Sequence, residues 1–223
     1  MRADGLCHWE PAAVMVSLVV LAIATWQVHT GGGVVRLDEW VDVRIGTSSA
    51  WWLTALSDVG SPEVSGVALA VTSLHQAFFR GRWWPLALAV GNGAAAAIVV
   101  LALKALTGRR GPDGLPLDGY PGYFPSGHTV TAAVCLGTAT YILAIARRRT
   151  SLQASDLALA VGLGSGLVVG TSAVLTGNHW VSDVVAGLAL SVVLLLVGFA
   201  VLRLRLARRG QFSARARLPG GSG

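Results

Sequence analysis

The sequence predicts an all-α membrane protein, a bundle of six transmembrane helices forming one domain over residues 1–223. Three observations predict it. Of the 223 residues, 53% are hydrophobic and only 13% charged, about half the charged share of a soluble domain; mean hydropathy is +0.63. Uncharged apolar segments recur along the chain at intervals suited to helical spans. The arginines gather between alternate segments, as they do in proteins whose loops obey a charge rule.

The segments lie at roughly 12–28, 64–79, 83–103, 129–146, 157–177 and 184–202, each near the ~20 residues that cross a bilayer. The first contains "AIA" (22–24), which resembles a signal cleavage site, but Asp4 and Glu10 beside Arg2 make a poor n-region. It therefore reads as a span. The loop at roughly 29–63 carries "LDEWVDVRIGTSSAWWLTALSDVGS". Its Trp40, Trp51 and Trp52 suit a helix lying in the membrane interface, and equally a loop whose tryptophans pack on the bundle. The second span, ending at Phe79-Arg80, is short. The fifth contains "VGLGSGLVVG" (161–170), in which small residues let helices approach closely in lipid. No G-x-x-x-x-G-K-[ST] occurs, so a nucleotide loop is not supported.

With the N-terminus inside, 12 of the 17 basic residues fall on the inner side: Arg2, Arg80, Arg82, Arg147, Arg148, Arg149 and six between Arg203 and Arg217. Both termini are therefore expected in the cytoplasm, with 203–223 a basic tail. Topology also accounts for the net charge of +6, and no nucleic-acid partner is expected. The Arg, Ala, Val and Gly bias points to a GC-rich bacterial genome. Cys7 and Cys135 lack metal-ligand spacing, and Cys135 reads as a small packed hydrophobe.

Three polar clusters then fall on the outer side. Lys104 closes the third span and is followed by "ALTGRRGP" (105–112). It suits phosphate, or snorkels from a helix end; Arg109 and Arg110 suit an anion, or merely follow a helix. "PSGH" (125–128) opens the fourth span. Pro125 and Ser126 suit a helix start, whose free backbone N–H groups favour an anion; Ser126 as a plain N-cap is the alternative. "TGNHWVSD" (176–183) joins the fifth span to the sixth. His179 and Asp183 stand at i, i+4, sharing one helix face. The carboxylate would hold one imidazole nitrogen and leave the other as base or nucleophile, unless the pair only caps the last span. His8 and His29 are peripheral, and His75 reads as a packed, hydrogen-bonded interior residue. No H-E-x-x-H or carboxylate cluster suggests a metal, and no cofactor is expected.

In this order the clusters resemble the type 2 phosphatidic acid phosphatase family, whose pattern is K-x6-R-P, P-S-G-H and S-R-x5-H-x3-D. Lys104, Pro112, "PSGH" (125–128), "HWVSD" (179–183) and the following "VVAG" (184–187) match. Two positions depart: Gly111 and Ala173 stand where the family carries phosphate-binding arginines. Each lost guanidinium removes hydrogen bonds worth about 1.5–3 kcal/mol. We expect Arg109 or Arg110 to take over part of the contact, given the latitude of a turn bounded by Gly108 and Gly111.

The resemblance implies a six-helix bundle of the phosphatase and haloperoxidase kind and a metal-independent, two-step phosphoryl transfer. His179 is the nucleophile, Asp183 orients it, and His128 is the acid–base. Lys104, Arg109, Arg110, Ser126 and the Gly127 amide hold the phosphoryl oxygens. The substrate is a lipid phosphate of the outer leaflet, either a polyprenyl diphosphate or a phosphatidate. A lipid phosphotransferase would use the same residues, and a catalytically weakened lipid-binding or transport relative would explain the missing arginines. The soluble haloperoxidases share the constellation but not six spans.

Overall fold

The structure, a computed structural model, describes residues 9–114, 119 and 121–215, with side chains as far as Arg208. Arg2, Asp4, Cys7, His8, Arg217 and the end of the basic tail lie outside the described residues. Eight helices and no strand occur among the described residues: α1 (Trp9–His29), α2 (Gly33–Ile45), α3 (Trp51–Asp58), α4 (Pro62–Arg80), α5 (Trp84–Thr107), α6 (Gly127–Ala146), α7 (Ser151–Leu175) and α8 (Val181–Arg215). A helix stands at each of the six expected segments.

The count of six spans needs correction. Five helices, α1, α5, α6, α7 and α8, are long and apolar enough to cross a membrane. The 19-residue α4 has the length, but Glu63, Ser65, Thr72, Ser73, His75 and Gln76 make it more polar than the others. His75 is also not an interior residue: it lies exposed on α4, its ring 5.3 Å from that of Phe79.

Local chemistry sets the helix ends. Ser61 caps α4 by accepting from the Val64 N–H, with Pro62 supplying a preformed first φ. Thr150 and Gln153 form a reciprocal capping box at α7. Gly108 ends α5 in the left-handed region at φ 57°, which suits a residue without Cβ, and sends the chain back across the bundle end.

α6 is the central helix, packed on α4, α5, α7 and α8. Its closest partner is α7, through stripes of small residues spaced by four. On α7, Gly162, Gly166 and Gly170 face Ala133, Thr129 and their neighbours on α6. A Cβ on Gly162 would stand 2.6 Å from the Ala133 carbonyl oxygen, and one on Gly166 3.0 Å from Ala133 Cβ. The glycine-rich run thus works as a packing face. α1 lies outside α8, joined to it by a two-pronged ion pair in which Arg203 donates to Glu10 at 3.0 and 2.7 Å.

The loop between α1 and α4 is helical rather than irregular. Trp40 and Trp51 are 53% and 80% exposed, and Leu37 and Val43 are exposed with them. They do not pack on the bundle, and the apolar face of α2 suits a helix lying in the interface. Asp38, on the opposite face of α2, points inward.

Hydrogen bonds establish which helix ends meet. His29 at the end of α1 bonds through Nδ1 to the Leu106 carbonyl near the end of α5. Ser126, before α6, donates its N–H to the carbonyl of Asp183 at the start of α8, at 3.0 Å. Arg80, Arg82, Arg147–Arg149 and Arg203 lie at the other end.

The α6–α7 contact predicts a contrast between two alanines. Gly162→Ala must push helices apart and should cost about 1–3 kcal/mol, as overpacking does. Gly164→Ala, whose Cβ would meet nothing within 4 Å, should match or slightly exceed wild-type stability. Thermal unfolding in detergent measures both, and equal Tm values would refute the packing account.

Candidate functional site

The joined helix ends surround a cavity of about 640 Å³. Lys104, Tyr123, Gly127, His128, Asn178 and His179, with Thr54, Ser57 and Asp58 of α3, form its polar wall, and Ala96, Ala97, Val100, Val130, Val134 and Cys135 continue it downward between α5 and α6. A second depression of about 780 Å³ lies toward the opposite end, between α5 and α8. It is walled by apolar side chains, Asn92 and two arginines, Arg205 and Arg208, without a nucleophile or an acid–base pair.

Lys104 lies in the last turn of α5, 4% exposed. Its Nζ donates to the carbonyls of Gly122 at 2.6 Å and Tyr123 at 3.2 Å, so it fastens the turn before α6 as well as lining the cavity. That turn runs close to the preceding one: a Cβ on Gly122 would stand 2.9 Å from the Arg109 nitrogen. Ser126 is the N-cap of α6, its Oγ accepting from the Thr129 N–H and hydroxyl, and it is fully buried. The structure thus gives its hydroxyl to the cap rather than the cavity. Gly127 and His128 begin the helix and line the cavity. Their amides belong to the first turn, which has no earlier turn to bond with.

His179 and Asp183 meet as their spacing predicts. Nδ1 of His179 lies 3.1 Å from Asp183 Oδ2. An ionised carboxylate only accepts, so Nδ1 carries the proton and Nε2 keeps its lone pair for the cavity. The Trp180 N–H donates to the same Oδ2 at 3.1 Å. The ring of Tyr123 stands edge-on to His179, centroids 5.6 Å apart at 73°.

The two arginines go elsewhere. Arg109 does not line the cavity. Its Nη1 donates to Asp183 Oδ1 at 2.6 Å and to Ser182 Oγ at 2.7 Å, and its Nη2 to Asp38 Oδ2 at 2.6 Å. Arg110 is exposed; its Nη1 reaches the Gly114 carbonyl at 3.4 Å, and its own carbonyl accepts from Trp180 Nε1. The expected transfer of the phosphate contact to either arginine therefore finds no geometric support. Gly111 has a local reason: a Cβ there would stand 2.5 Å from Tyr123 Cζ, so the tyrosine ring fills the space a side chain would need. At Ala173 the backbone is used, its carbonyl accepting from the N–H groups of Asn178 and His179.

Sequence reasoning missed Tyr123, Ser182 and Asp38. The first two stand beside or inside matched motifs, where a turn rich in polar and aromatic residues was the available signal. Asp38 had none, because one acid in a charged interface helix is unremarkable.

Comparison with known proteins agrees with this arrangement. A crystal structure of a transmembrane PAP2-type phosphatidylglycerolphosphate phosphatase from Bacillus subtilis superposes with a TM-score of 0.70 at 22% identity, over 90% of this chain and 97% of that one. No curated protein matches the sequence. The model of the PAP2 superfamily matches residues 82–206, which is more than half of the chain and spans Lys104, "PSGH" and His179–Asp183, and the chain therefore belongs to the PAP2 superfamily.

Proposed function

We propose that the protein is a membrane phosphatase that hydrolyses the phosphate ester or diphosphate of a lipid through a phosphohistidine. The observation that carries the reading is the His179–Asp183 pair opening onto a cavity that continues into an apolar slot. From His128 to Cys135 the slot follows about two turns of α6, roughly 10 Å, deep enough for part of an acyl or prenyl tail. A soluble phosphate ester would leave that wall unfilled. Both termini are assigned to the cytoplasm and the site to the opposite face, supported by the basic residues at the far end of the bundle.

In the first step the Nε2 lone pair of His179 attacks phosphorus and the bond to the lipid oxygen breaks. Asp183 holds Nδ1–H and balances the charge the ring gains. His128, in its protonated form, gives its proton to the leaving oxygen. In the second step His128 takes a proton from water, whose oxygen attacks phosphorus; the N–P bond breaks and inorganic phosphate leaves. Lys104 and the first-turn amides of Gly127 and His128 hold the phosphoryl oxygens, a positioning role that dominates such transfers. In this reading Ser126 builds the helix start, and Arg110 is dispensable.

Phosphate release by the detergent-purified chain, with chelator present, tests the proposal. The panel holds a polyprenyl diphosphate, a phosphatidate, phosphatidylglycerolphosphate (the substrate in the similar structure's name) and a soluble ester. Release is expected from a lipid substrate, to vanish in His179→Ala and to fall roughly 10²- to 10⁴-fold in His128→Ala. A folded protein that releases phosphate from none of them is a lipid-binding relative or a phosphotransferase, and the hydrolase reading fails.

A second comparison separates the cations. Lys104→Ala should reduce kcat/KM roughly ten- to a hundredfold, the scale of one charged hydrogen bond, whereas Arg110→Ala should stay within about twofold of wild type, as exposed substitutions do. Steady-state kinetics read both. A large loss in Arg110→Ala would return that arginine to the phosphate.

A further inference from the structure

Arg109 is one of three cations the sequence offers to phosphate, yet its guanidinium is buried behind the catalytic pair, between two carboxylates. From the cavity inward the groups alternate in charge: the His179 ring, the Asp183 carboxylate, the Arg109 guanidinium, the Asp38 carboxylate. The links are 3.1 Å from His179 to Asp183, 2.6 Å from Asp183 to Arg109 and 2.6 Å from Arg109 to Asp38. Ser182 closes the set. Its N–H donates to Asp38 Oδ1 at 2.9 Å, its hydroxyl donates to Asp38 Oδ2, and Arg109 donates to that hydroxyl. Asp38 is 3% exposed and Asp183 fully buried.

We propose that Asp38 and Arg109 are a positioning pair for the His179–Asp183 dyad, Arg109 fixing the carboxylate of Asp183 and Asp38 preserving its negative charge toward the imidazole. The argument is electrostatic. A guanidinium 2.6 Å from Oδ1, acting alone in a buried site, draws charge from the carboxylate and weakens its hold on Nδ1–H. A second carboxylate on the other side of the same guanidinium offsets that pull. Asp38 also binds the backbone of Ser182, one residue before Asp183, and so caps the first turn of α8 from a different helix. Asp38 and the rest of α2 lie outside residues 82–206, the part matched by the family model, so the first 81 residues contribute to the site. The proposal rests on the phosphatase reading above.

The test uses the full chain in detergent with the substrate that wild type hydrolyses best. Asp38→Asn is nearly isosteric and still accepts from the Ser182 N–H through its amide oxygen, but it removes the charge and turns an NH2 group toward the Ser182 hydroxyl and Arg109 Nη2, so the ion pair with Arg109 is lost. It should lower kcat roughly ten- to a hundredfold, the range for residues that orient a reactive group from behind, with KM within about twofold. Asp38→Glu should recover part of that loss. Arg109→Gln should show the same split, and the double variant should be no worse than the poorer single one, as members of one network behave. Histidine-selective ¹⁵N NMR gives a readout without turnover: the Nδ1–H signal of His179, assigned by its loss in His179→Gln, should shift in Asp38→Asn. Asp183, bonded to that ring, and Tyr123, edge-on to it, are both unchanged by the substitution. Unchanged kcat with an unmoved signal would overturn the proposal, and so would a rise in KM alone in Arg109→Gln, which would put that arginine on phosphate. If Asp38→Asn does not fold, Arg109→Lys carries the test: it keeps the charge, loses the fork, and should lose kcat at constant KM. A wild type that releases no phosphate fails the phosphatase reading instead, and the NMR arm still decides the positioning pair.

Discussion

The carboxylate of Asp183 is the constraint around which the active end of the bundle is built. It is fully buried at the start of α8, and a buried carboxylate is tolerable only when its oxygens are occupied. The ring of His179, the Trp180 amide and the Arg109 guanidinium occupy them. Each belongs to a segment that must reach this point: the turn after α7, the residue just before α8 and the chain after α5. The main-chain carbonyl of Asp183 meanwhile accepts from Ser126, which places the start of α6 and with it His128. One residue therefore sets the relative position of the two histidines, although His179 stands in the turn after α7 and His128 in the first turn of α6.

That arrangement needs helices that do not slide. In lipid there is little hydrophobic force between helices, so close contact between small residues carries the packing. The α6–α7 stripes supply it directly beneath the site. The same chemistry recurs at the crossing of α6 and α8, where a Cβ on Gly187 would stand 3.2 Å from the Ser126 carbonyl oxygen, and at the α3–α4 corner, where one on Gly60 would stand 2.6 Å from the His128 carbonyl oxygen. Close approach of backbones around residues 126–129 holds the first turn of α6 in place, and its amides with it.

Much of this was legible in the sequence, and the exceptions have a common cause. Hydropathy located the helices because burial in lipid demands long apolar runs, and it faltered at α4, where six polar side chains from Glu63 to Gln76 dilute the run. The ordered clusters located Lys104, His128, His179 and Asp183 because their chemistry depends on local spacing: a cap, an i, i+4 face, a helix end. Arg109 was legible as a cation but not as to its partner. A guanidinium chooses among acceptors in three dimensions, and Asp38 is 71 positions away in the chain. Ser126 was ambiguous between cap and ligand, and the buried Thr129 contacts assign it to the cap. Gly111 read as a loss, whereas in the fold it is the space that Tyr123 occupies.

The two departures from the family pattern share a physical consequence. At Gly111 the space near His179 is taken by the Tyr123 ring, and at Ala173 the backbone carbonyl holds the His179 turn. Neither offers a fixed positive charge. Among the described residues lining the cavity, Lys104 is the cationic side chain apart from the histidines. In the proposed reaction such a site binds the ground-state phosphate less strongly than one with guanidiniums on both sides, and the helix start of α6 supplies donors without net charge. Binding energy must then come from elsewhere on the substrate, since remote contacts can offset what the reacting group lacks. The apolar slot between α5 and α6 is where those contacts are available, each buried methylene contributing about 0.8 kcal/mol. A lipid tail would in that case be a condition of turnover, and substrates differing in tail should separate more sharply than those differing in the number of phosphates.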